Sequence, residues 1–444
     1  MAKTFDLVVK GGTLVNHSGI GKADIGVQDG KIARIGSIDN ADAGETIDVT
    51  GLHVLPGVID SQVHFREPGA EHKETLATGS RAAVLGGVTA VFEMPNTDPL
   101  TTNAEALADK VARGRSGMFC DFAFYVGATR ENITELPDLE RLEGAAGIKV
   151  FIGSSTGNLL VDDEESLSRI LAVISRRAAF HSEDEARLIA REGIRRHGDP
   201  TSHTEWRDPQ AALIATEQLL RLAHEHGKRV HLLHISTGEE MKLLAAHKDV
   251  ASVELTPQHL TLTSDEAYAS LGNKAQMNPP LRDASHQEIL WWGLHQGIAD
   301  VLGSDHAPHT LEEKAEPYPA SHSGMPGVQT LVPIMLDHVN AGRLTLERFI
   351  DLTSHGPQRI FGIACKGRVA CGYDADFTIV DLKTRRTIED EWIASVCGWT
   401  PFAGRTVTGW PRGTIIRGRR VMWEDEIIGQ SGGEPVRFLE ALSA

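Results

Sequence analysis

The chain has 444 residues, 41% of them hydrophobic and 24% charged, which is typical of a globular protein with room for one large domain and a smaller one. Its formal net charge of −17 repels nucleic acid and anionic lipid headgroups, and we therefore expect neither as a partner. We find no run of about 18 consecutive apolar residues and no N-terminal cleavage pattern, so we expect neither a membrane span nor a secretory leader. The four cysteines, at 120, 365, 371 and 397, form no Cys-x-x-Cys pair, which predicts reduced thiols in the cytoplasm.

The two ends of the sequence share a β-rich texture. Near the start, "DLVVKGGTLV", "ADIGVQDGKIARIG" and "ETIDVTGLHVLPG" alternate apolar and polar residues between tight-turn signals. The same pattern returns in "GRVACGYDADFTIVDL" and "GTIIRGRRVMWEDEII". We predict a small β-sandwich domain built from residues 1–55 together with residues 365–444.

The middle of the chain, residues 56–364, alternates strand and helix patterns. Helix-like stretches separate eight apolar runs: "LPGVIDSQVHF", "VTAVFEMP", "CDFAFYVGA", "GIKVFIG", "RAAFHSED", "RVHLLHIST", "VASVELTPQHL" and "ADVLGSDHAPH". Near-continuous apolar strands alternating with helices indicate an α/β fold with a parallel sheet, and eight units predict a closed (β/α)8 TIM-type barrel. A doubly wound open sheet is the alternative, and the absence of a glycine-rich nucleotide fingerprint after any strand weighs against it.

Polar residues that can bind metal gather where these predicted strands end. They are His64, Arg66, Lys149, His181, His234, Asp305, His306 and His309. Catalytic residues of such barrels lie at this rim, and zinc takes imidazole and carboxylate ligands while leaving one position open in catalytic sites. One histidine at a strand end is more often structural, but polar groups at five strand ends predict a metal-dependent active site.

Lys149 lies in mid-strand between Ile148 and Val150, and a cationic amine there repels a metal ion. It becomes suitable as a ligand if its amine adds carbon dioxide to give an anionic carbamate with two oxygens. The alternative is a lysine paired with a carboxylate, which is expensive to bury in an apolar strand.

Taken together, several motifs resemble the amidohydrolase superfamily and, within it, the class I dihydroorotases. The motifs stand in the family's order as "VLPGVIDSQVHFREPG", "VFEMPNTDP", "GIKVF", "FHSED", "HLLHIST", "MNPPLR", "GSDHAPH" and "SGMPGVQT". The resemblance covers nearly the whole chain and implies a metal-dependent barrel with a β-domain made from both ends. It also implies zinc-dependent, reversible hydrolysis of L-dihydroorotate to N-carbamoyl-L-aspartate in pyrimidine biosynthesis.

The resemblance implies a role for each metal-binding residue. His64 would bind the more buried of two zinc ions, and a carbamylated Lys149 would bridge them. His181 and His234 would hold the second ion. Asp305 would bind the first ion and act as general base and acid. The remaining histidines at 72, 224, 226, 231, 259 and 306 are expected to be supporting or surface residues.

The resemblance also implies the substrate contacts. Arg66 would fork two hydrogen bonds onto the substrate carboxylate, which a guanidinium does better than any other side chain. Asn96 and His309 would share the carboxylate and ring with it, and His64 would also contact the substrate. Asn278 and the backbone at Pro326 and Gly327 would bind the ring amides, although "MNPP" taken alone is typical of a plain turn.

Two alternatives stay open at this point. Hydantoinases and allantoinases share the metal ligands and accept rings without this carboxylate. Allantoinase-like sequences have asparagine where this chain has Arg66, so the arginine favours an acidic ring. Some dihydroorotase-like chains have lost ligands and serve as non-catalytic partners of aspartate carbamoyltransferase. A homodimer, with that enzyme as a further partner, is the expected assembly.

Gln62 stands where the family's motif has a first histidine. Alternation along a strand places Gln62 and His64 on one face, both directed to the metal rim. A glutamine carbonyl is a poorer zinc ligand than imidazole. We therefore predict unequal metal sites, with a firmly held ion at His181 and His234 and a weaker or absent one near His64. The alternative is that Gln62 hydrogen-bonds a metal-bound water and two ions remain.

Overall fold

The computed structural model describes residues 4–16, 19–39, 43–155 and 159–439. Within them the strands form three sheets of four, eight and seven strands. The strands are β1 Phe5–Lys10, β2 Thr13–Asn16, β3 Gly19–Lys22, β4 Asp24–Gln28, β5 Lys31–Gly36, β6 Ala43–Asp48, β7 His53–Pro56, β8 Val58–Val63, β9 Val88–Glu93, β10 Asp121–Gly127, β11 Ala145–Phe151, β12 Ala178–His181, β13 Val230–Leu232, β14 Ala251–Leu255, β15 Val301–Leu302, β16 Phe377–Thr387, β17 Thr406–Ile416, β18 Arg419–Trp423 and β19 Glu426–Ile427.

The helices lie mainly between the strands of the middle region. They are α1 Leu76–Leu85, α2 Ala104–Gly117, α3 Leu136–Leu139, α4 Glu164–Val173, α5 Glu185–Ala190, α6 Ser202–Trp206, α7 Pro209–Glu225, α8 Gly238–Ala245, α9 Pro257–Thr261, α10 Ser264–Leu271, α11 Ala284–His295, α12 Leu311–Ala315, α13 Leu331–Asn340, α14 Leu346–Ile350 and α15 Gly356–Phe361. Most of the longer helices begin after a Thr, Asn or Asp side chain that accepts a hydrogen bond from the first turn, which satisfies backbone N–H groups that lack helical partners. No helix of the described ranges is long and apolar enough to cross a bilayer.

The eight-stranded sheet runs in chain order from β8 to β15, and every neighbouring pair is parallel. Its two edges meet, because Val63 at the end of β8 bridges His306 and the His64 N–H donates to the His306 carbonyl at 2.7 Å. The predicted (β/α)8 barrel is therefore confirmed, with all eight predicted strands in place. The open-sheet alternative is excluded by this closure.

The barrel strands are buried along their whole length and rich in Val, Ile and Phe, as parallel strands covered by helices must be. Apolar side chains from strands and helices join in one core that surrounds the barrel. Polar residues therefore stand out where they occur inside the strands, and they occur toward one end.

The other two sheets pack on each other beside the barrel. The four-stranded sheet is built from residues 5–48 alone, whereas in the seven-stranded sheet β7 pairs with β16 and so joins the two ends of the sequence. Leu7, Ile25, Phe377 and Ile415 lie in their shared core. Residues 435–439 differ from the rest of the C-terminal segment, because Phe438 packs under the barrel. The domain limits at 55/56 and 364/365 stay predictions.

Candidate active site

A cavity opens at the end of the barrel where the strands finish, and it encloses about 360 Å³ of empty space when the solvent at its mouth is included. Seven of the residues predicted for the site line it: His64, Arg66, Lys149, His181, His234, Asn278 and Asp305. Gln62 also lines it, and so do Phe151, Ser155, Ser323 and Gly324, which the motifs did not single out. The barrel thus brings together side chains from five strand ends that are far apart in the sequence. His64 and Asp305, for example, are separated by 241 positions.

His181 and His234 face each other, with His181 Nδ1 3.1 Å from His234 Nε2. The other ring nitrogen of His181, Nε2, donates a hydrogen bond to the Glu183 carboxylate at 2.9 Å. Arg207 in turn donates to Glu183 and holds that carboxylate ionised, since the buried guanidinium lowers the pKa of Glu183 against the effect of burial. A histidine whose Nε2–H is fixed in this way presents an unprotonated Nδ1 to its neighbour.

His64 has the same arrangement on the opposite side of the cavity. Its Nδ1 donates to the Asn96 side-chain oxygen at 2.8 Å, so Nε2 carries a lone pair, and Nε2 faces the Asp305 carboxylate at 3.3 Å. Gln62 Nε2 donates to the same Asp305 oxygen at 2.9 Å, while the other Gln62 side-chain atom, Oε1, is buried without a hydrogen-bond partner. Asn96 therefore reaches the site through His64 and does not line the cavity.

Lys149 lines the same cavity from mid-strand in β11. Its amine is buried, has no hydrogen-bond partner and lies 4.2 Å from the centre of the Phe151 ring. Burial lowers the pKa of Lys149 to about 7. The alternative of a structural lysine paired with a carboxylate does not hold, because no carboxylate oxygen within the described ranges lies within 4.0 Å of the amine.

Arg66 lines one side of the cavity, and the predicted site residue His309 lies behind it, fully buried and outside the lining. Arg66 is 5% exposed, and its guanidinium donates to the Pro308 carbonyl at 3.2 Å and lies 3.3 Å from His309 Nε2. None of the ion pairs found among the described residues includes Arg66, and burial lowers its pKa to about 10. Lys73 lies on the far side of His309, with its amine 3.3 Å from Nδ1. Glu313 pairs with both Lys73 and His309, at 2.8 Å from the Lys73 amine and 3.4 Å from His309 Nδ1, so among the described residues of this wall Arg66 is the cation without an acidic partner within 4.0 Å.

The remaining predicted contacts divide between the cavity and its surroundings. Asn278 lines the cavity, and His203 Nε2 lies 2.9 Å from its side-chain oxygen, so the Asn278 amide group is left for a ligand. Pro326 and Gly327 instead border a separate small pocket, where the Gly327 N–H donates to His306 Nδ1 at 3.0 Å. Ser323 and Gly324 stand at the cavity wall in their place.

Three of the eight described non-glycine residues with a positive φ lie at the site. Arg66, His234 and Asp305 have φ values of 62°, 37° and 44°, in the left-handed region that non-glycine residues rarely adopt. Each follows a barrel strand, where the chain turns to aim a side chain into the cavity. Such conformations persist where the surroundings fix them, and they are enriched at functional sites.

The sequence motifs did not identify the buried charged residues that lie behind the candidate ligands. Glu183 and Arg207 orient His181, and Glu254 lies inside the barrel with Ser61 Oγ donating to it at 2.9 Å. Burial raises the pKa of Glu254 to about 8. A signal was present, since Glu254 is a charged residue inside the apolar run "VASVEL", as costly to bury as Lys149.

The donor set fits metal ions. His181 and His234 form one pair of lone-pair donors at about hydrogen-bond distance, and His64 and Asp305 form another. The Lys149 amine, which has no hydrogen-bond partner among the described residues, lines the same cavity. Imidazole and carboxylate donors suit zinc and related divalent ions. The amine fits this set only after conversion to an anionic group.

Comparison with known proteins places this geometry in a family. A curated relative named dihydroorotase from Methanothermobacter thermautotrophicus is 35% identical, with 92% of this chain and 93% of the relative covered. Another of that name, from Halobacterium salinarum, is 38% identical, with 91% of this chain and 94% of the relative covered. A relative named allantoinase from Solibacter usitatus is 35% identical, with 97% of both chains covered. The solved structure of an L-hydantoinase (dihydropyrimidinase) from Arthrobacter aurescens superposes with a TM-score of 0.93 at 31% identity, covering 98% of this chain and all of that one.

Two family descriptions match residues 1–421 of the chain. Residues 1–55 match the N-terminal domain of the urease alpha-subunit, in agreement with the β-rich texture of that segment. Residues 53–421 match the amidohydrolase family, and this range holds the whole barrel with every residue of the cavity. The chain belongs to the amidohydrolase family.

Proposed function

We propose that this protein is a cyclic-amide hydrolase that acts as a dihydroorotase and interconverts L-dihydroorotate and N-carbamoyl-L-aspartate. The dihydroorotase relatives support the reaction class over nearly the full chain. The observation that carries the choice of substrate is the buried guanidinium of Arg66, which faces the cavity without an acidic partner among the described residues. A buried charge is stable only when it is paired, and the carboxylate of dihydroorotate supplies the missing anion.

The metal-binding residues of this proposal are His64, Lys149, His181, His234 and Asp305. When bound, zinc supplies Lewis acidity, which lowers the pKa of water and polarises a carbonyl oxygen. Lys149 would join as a carbamate, formed when the neutral amine adds carbon dioxide and releases a proton. Its burial without a partner leaves the nitrogen lone pair available for that addition.

The chain's own groups perform the remaining steps. Arg66, with His309 beside it, binds the substrate carboxylate, and the Asn278 amide donates to a ring carbonyl. Water adds to the ring carbonyl carbon, and Asp305 takes the proton that this water loses. The ring C–N bond then breaks, and Asp305 returns the proton to the leaving nitrogen. Ring closure follows the same steps in reverse.

The test is turnover by the purified protein alone, with L-dihydroorotate compared with hydantoin, dihydrouracil and allantoin. We expect dihydroorotate to have the highest kcat/KM. Faster turnover of a neutral ring would favour a hydantoinase or allantoinase. Absence of turnover on all four by metal-loaded protein would favour the non-catalytic partner of aspartate carbamoyltransferase. A homodimer and an association with that enzyme stay predictions.

Replacement of Arg66 by methionine tests the substrate contact. Arg66→Met removes the cation that faces the substrate carboxylate and leaves the metal-binding residues in place. We expect the free energy of dihydroorotate binding to become less favourable by about 2–5 kcal/mol, the range for breaking a desolvated charge pair. The matched control is a neutral ring assayed with the same variant, whose KM should change little. An unchanged KM for dihydroorotate would contradict the assignment.

A further inference from the structure

Glu254 lies beneath the cavity, inside the barrel, and contacts three separate parts of the site. The residue belongs to β14 and is fully buried. Its Oε2 accepts a hydrogen bond from Ser61 Oγ in β8 at 2.9 Å, and its Oε1 accepts one from the backbone N–H of His234 at 3.4 Å. The third contact is with Gly303 after β15, where a Cβ atom would lie only 2.6 Å from Oε2.

Each of these three contacts lies next to residues of the cavity wall. Ser61 precedes Gln62 and His64 in the chain, and Gly303 lies two positions before Asp305. His234 is itself a wall residue, held at a φ of 37°. A backbone in this conformation turns its N–H out of the regular sheet pattern, and the Glu254 side chain accepts it.

We infer that Glu254 is a positioning residue that sets the separation between the His64–Asp305 half of the site and the His181–His234 half. The Glu254 carboxyl group accepts hydrogen bonds from Ser61, which lies beside the His64 half in the chain, and from the His234 N–H in the other half. It also packs against Gly303, two residues before Asp305. Removing its two acceptor atoms frees His234 to relax toward ordinary backbone angles and releases β8. The inference rests on the proposed function only insofar as the cavity binds a divalent metal.

Glu254→Met is the main variant, since methionine has a similar length and no carboxyl oxygen. Glu254→Gln is the conservative variant, because its carbonyl can accept from the His234 N–H while its amide faces Ser61. The matched control is Glu140→Met. Glu140 is equally buried and accepts hydrogen bonds from the backbone N–H groups of Ser175 and Arg176, but neither of these partners adjoins a residue of the cavity wall.

The readouts are the visible absorption of cobalt-loaded protein, metal retention against a chelator, the thermal unfolding temperature, and kcat and KM. For Glu254→Met we expect a changed cobalt spectrum, metal retention and kcat reduced by roughly 10- to 100-fold, and an unchanged KM. Glu254→Gln should resemble the wild type. Glu140→Met should lower only the unfolding temperature. A folded Glu254→Met protein with the wild-type spectrum and metal retention would overturn the inference, even if it unfolds earlier.

Ser61→Ala keeps the inference testable if Glu254→Met does not fold. This variant removes the donor to Oε2 and should change the cobalt spectrum, whereas Glu254→Gln should not. A wild-type spectrum for Ser61→Ala would then overturn the inference. Failure of the proposed function appears separately, as wild-type protein that binds cobalt but does not turn over dihydroorotate.

Discussion

The Asp305 carboxylate accepts a hydrogen bond from Gln62 and faces His64, and at the scale of single residues these contacts decide how it can react. Both contacts are with the same oxygen, Oδ1, which accepts from Gln62 and lies 3.3 Å from the lone pair of His64 Nε2. The φ of 44° at Asp305 keeps the side chain directed into the cavity. A carboxylate held in this way is suited to moving a proton between water and a leaving nitrogen without changing its own position.

Asp305→Asn should reduce kcat by about 100-fold or more, the range for loss of acid–base catalysis. The asparagine oxygen can still accept the hydrogen bond from Gln62, so the local geometry is kept while the proton acceptor is lost. Thermal unfolding of the same preparation serves as the control and should change little. Near-normal turnover would rule out Asp305 as the general base.

Gln62→His tests whether the two halves of the site bind metal unequally. In the wild type, Gln62 occupies one lone pair of Asp305 and offers only a neutral oxygen to an ion near His64. We expect one firmly held zinc per chain after mild dialysis, and a second one retained by Gln62→His. Elemental analysis measures both. Equal retention of two ions by the wild type and the variant would contradict unequal sites.

At the residue scale, the motifs pointed to seven of the side chains that line the cavity but did not predict how those side chains are held. His64 and His181 were recognisable because their surroundings in the sequence resemble a family. The partners that fix their ring nitrogens, Asn96 and Glu183, depend on side-chain directions that only the folded barrel sets. Ser323 and Gly324 lie at the cavity wall, whereas the predicted Pro326 and Gly327 do not. This difference depends on the path of one loop, which the periodicity of the sequence does not predict.

At the scale of elements, strand β11 delivers a lysine to the centre of the site. All seven of its residues are buried, and β10 and β12 flank it in parallel. The strand was predictable from its apolar run, and so was the unusual position of Lys149. The short length of β15, which is only Val301–Leu302, was not, because its segment leaves the sheet early to form the loop that carries Asp305.

Lys149→Ala should abolish metal-dependent turnover, since the anionic group between the two halves cannot form. Acetate or propionate should restore part of the activity by filling the space with a carboxylate. The control is Lys110→Ala, another buried lysine, which is paired with Glu93 outside the cavity and should not respond to these acids. Carbon NMR of wild-type protein exposed to labelled carbon dioxide should show a carbamate signal. A metal-loaded wild-type protein without that signal would contradict the bridge.

At the scale of the whole molecule, a buried cluster of charges joins the barrel to the C-terminal strands. Lys366, 5% exposed, lies 2.6 Å from Asp121 at the start of β10. It also lies 2.7 Å from Asp376 and 3.1 Å from Asp374, which lead into β16. One ammonium thus pairs with three carboxylates that come from two parts of the fold. Arg417 also pairs with Asp121 and Lys31 with Asp374, so among the described residues Asp376 is the carboxylate that depends on Lys366 alone for an ion pair.

Lys366→Met should lower the free energy of unfolding by about 3–5 kcal/mol, because it leaves the buried Asp376 without an ionic partner among the described residues. Lys31→Met is the matched control. Lys31 also pairs with Asp374, but its side chain is 37% exposed, so the loss should be about 0–1 kcal/mol. Urea titration measures both. Equal losses in the two variants would show that the cluster does not join the barrel to the strands.

The pairing of β7 with β16 has a consequence for synthesis on the ribosome. β7 ends at Pro56, and its partner begins at Phe377, so the whole barrel is translated before that edge can be covered. At about 5–20 residues per second, the edge stays unpaired for roughly 15–65 s. An uncovered strand edge is a template for pairing with another chain. Newly made protein is therefore most exposed to aggregation during translation, before its last strands emerge.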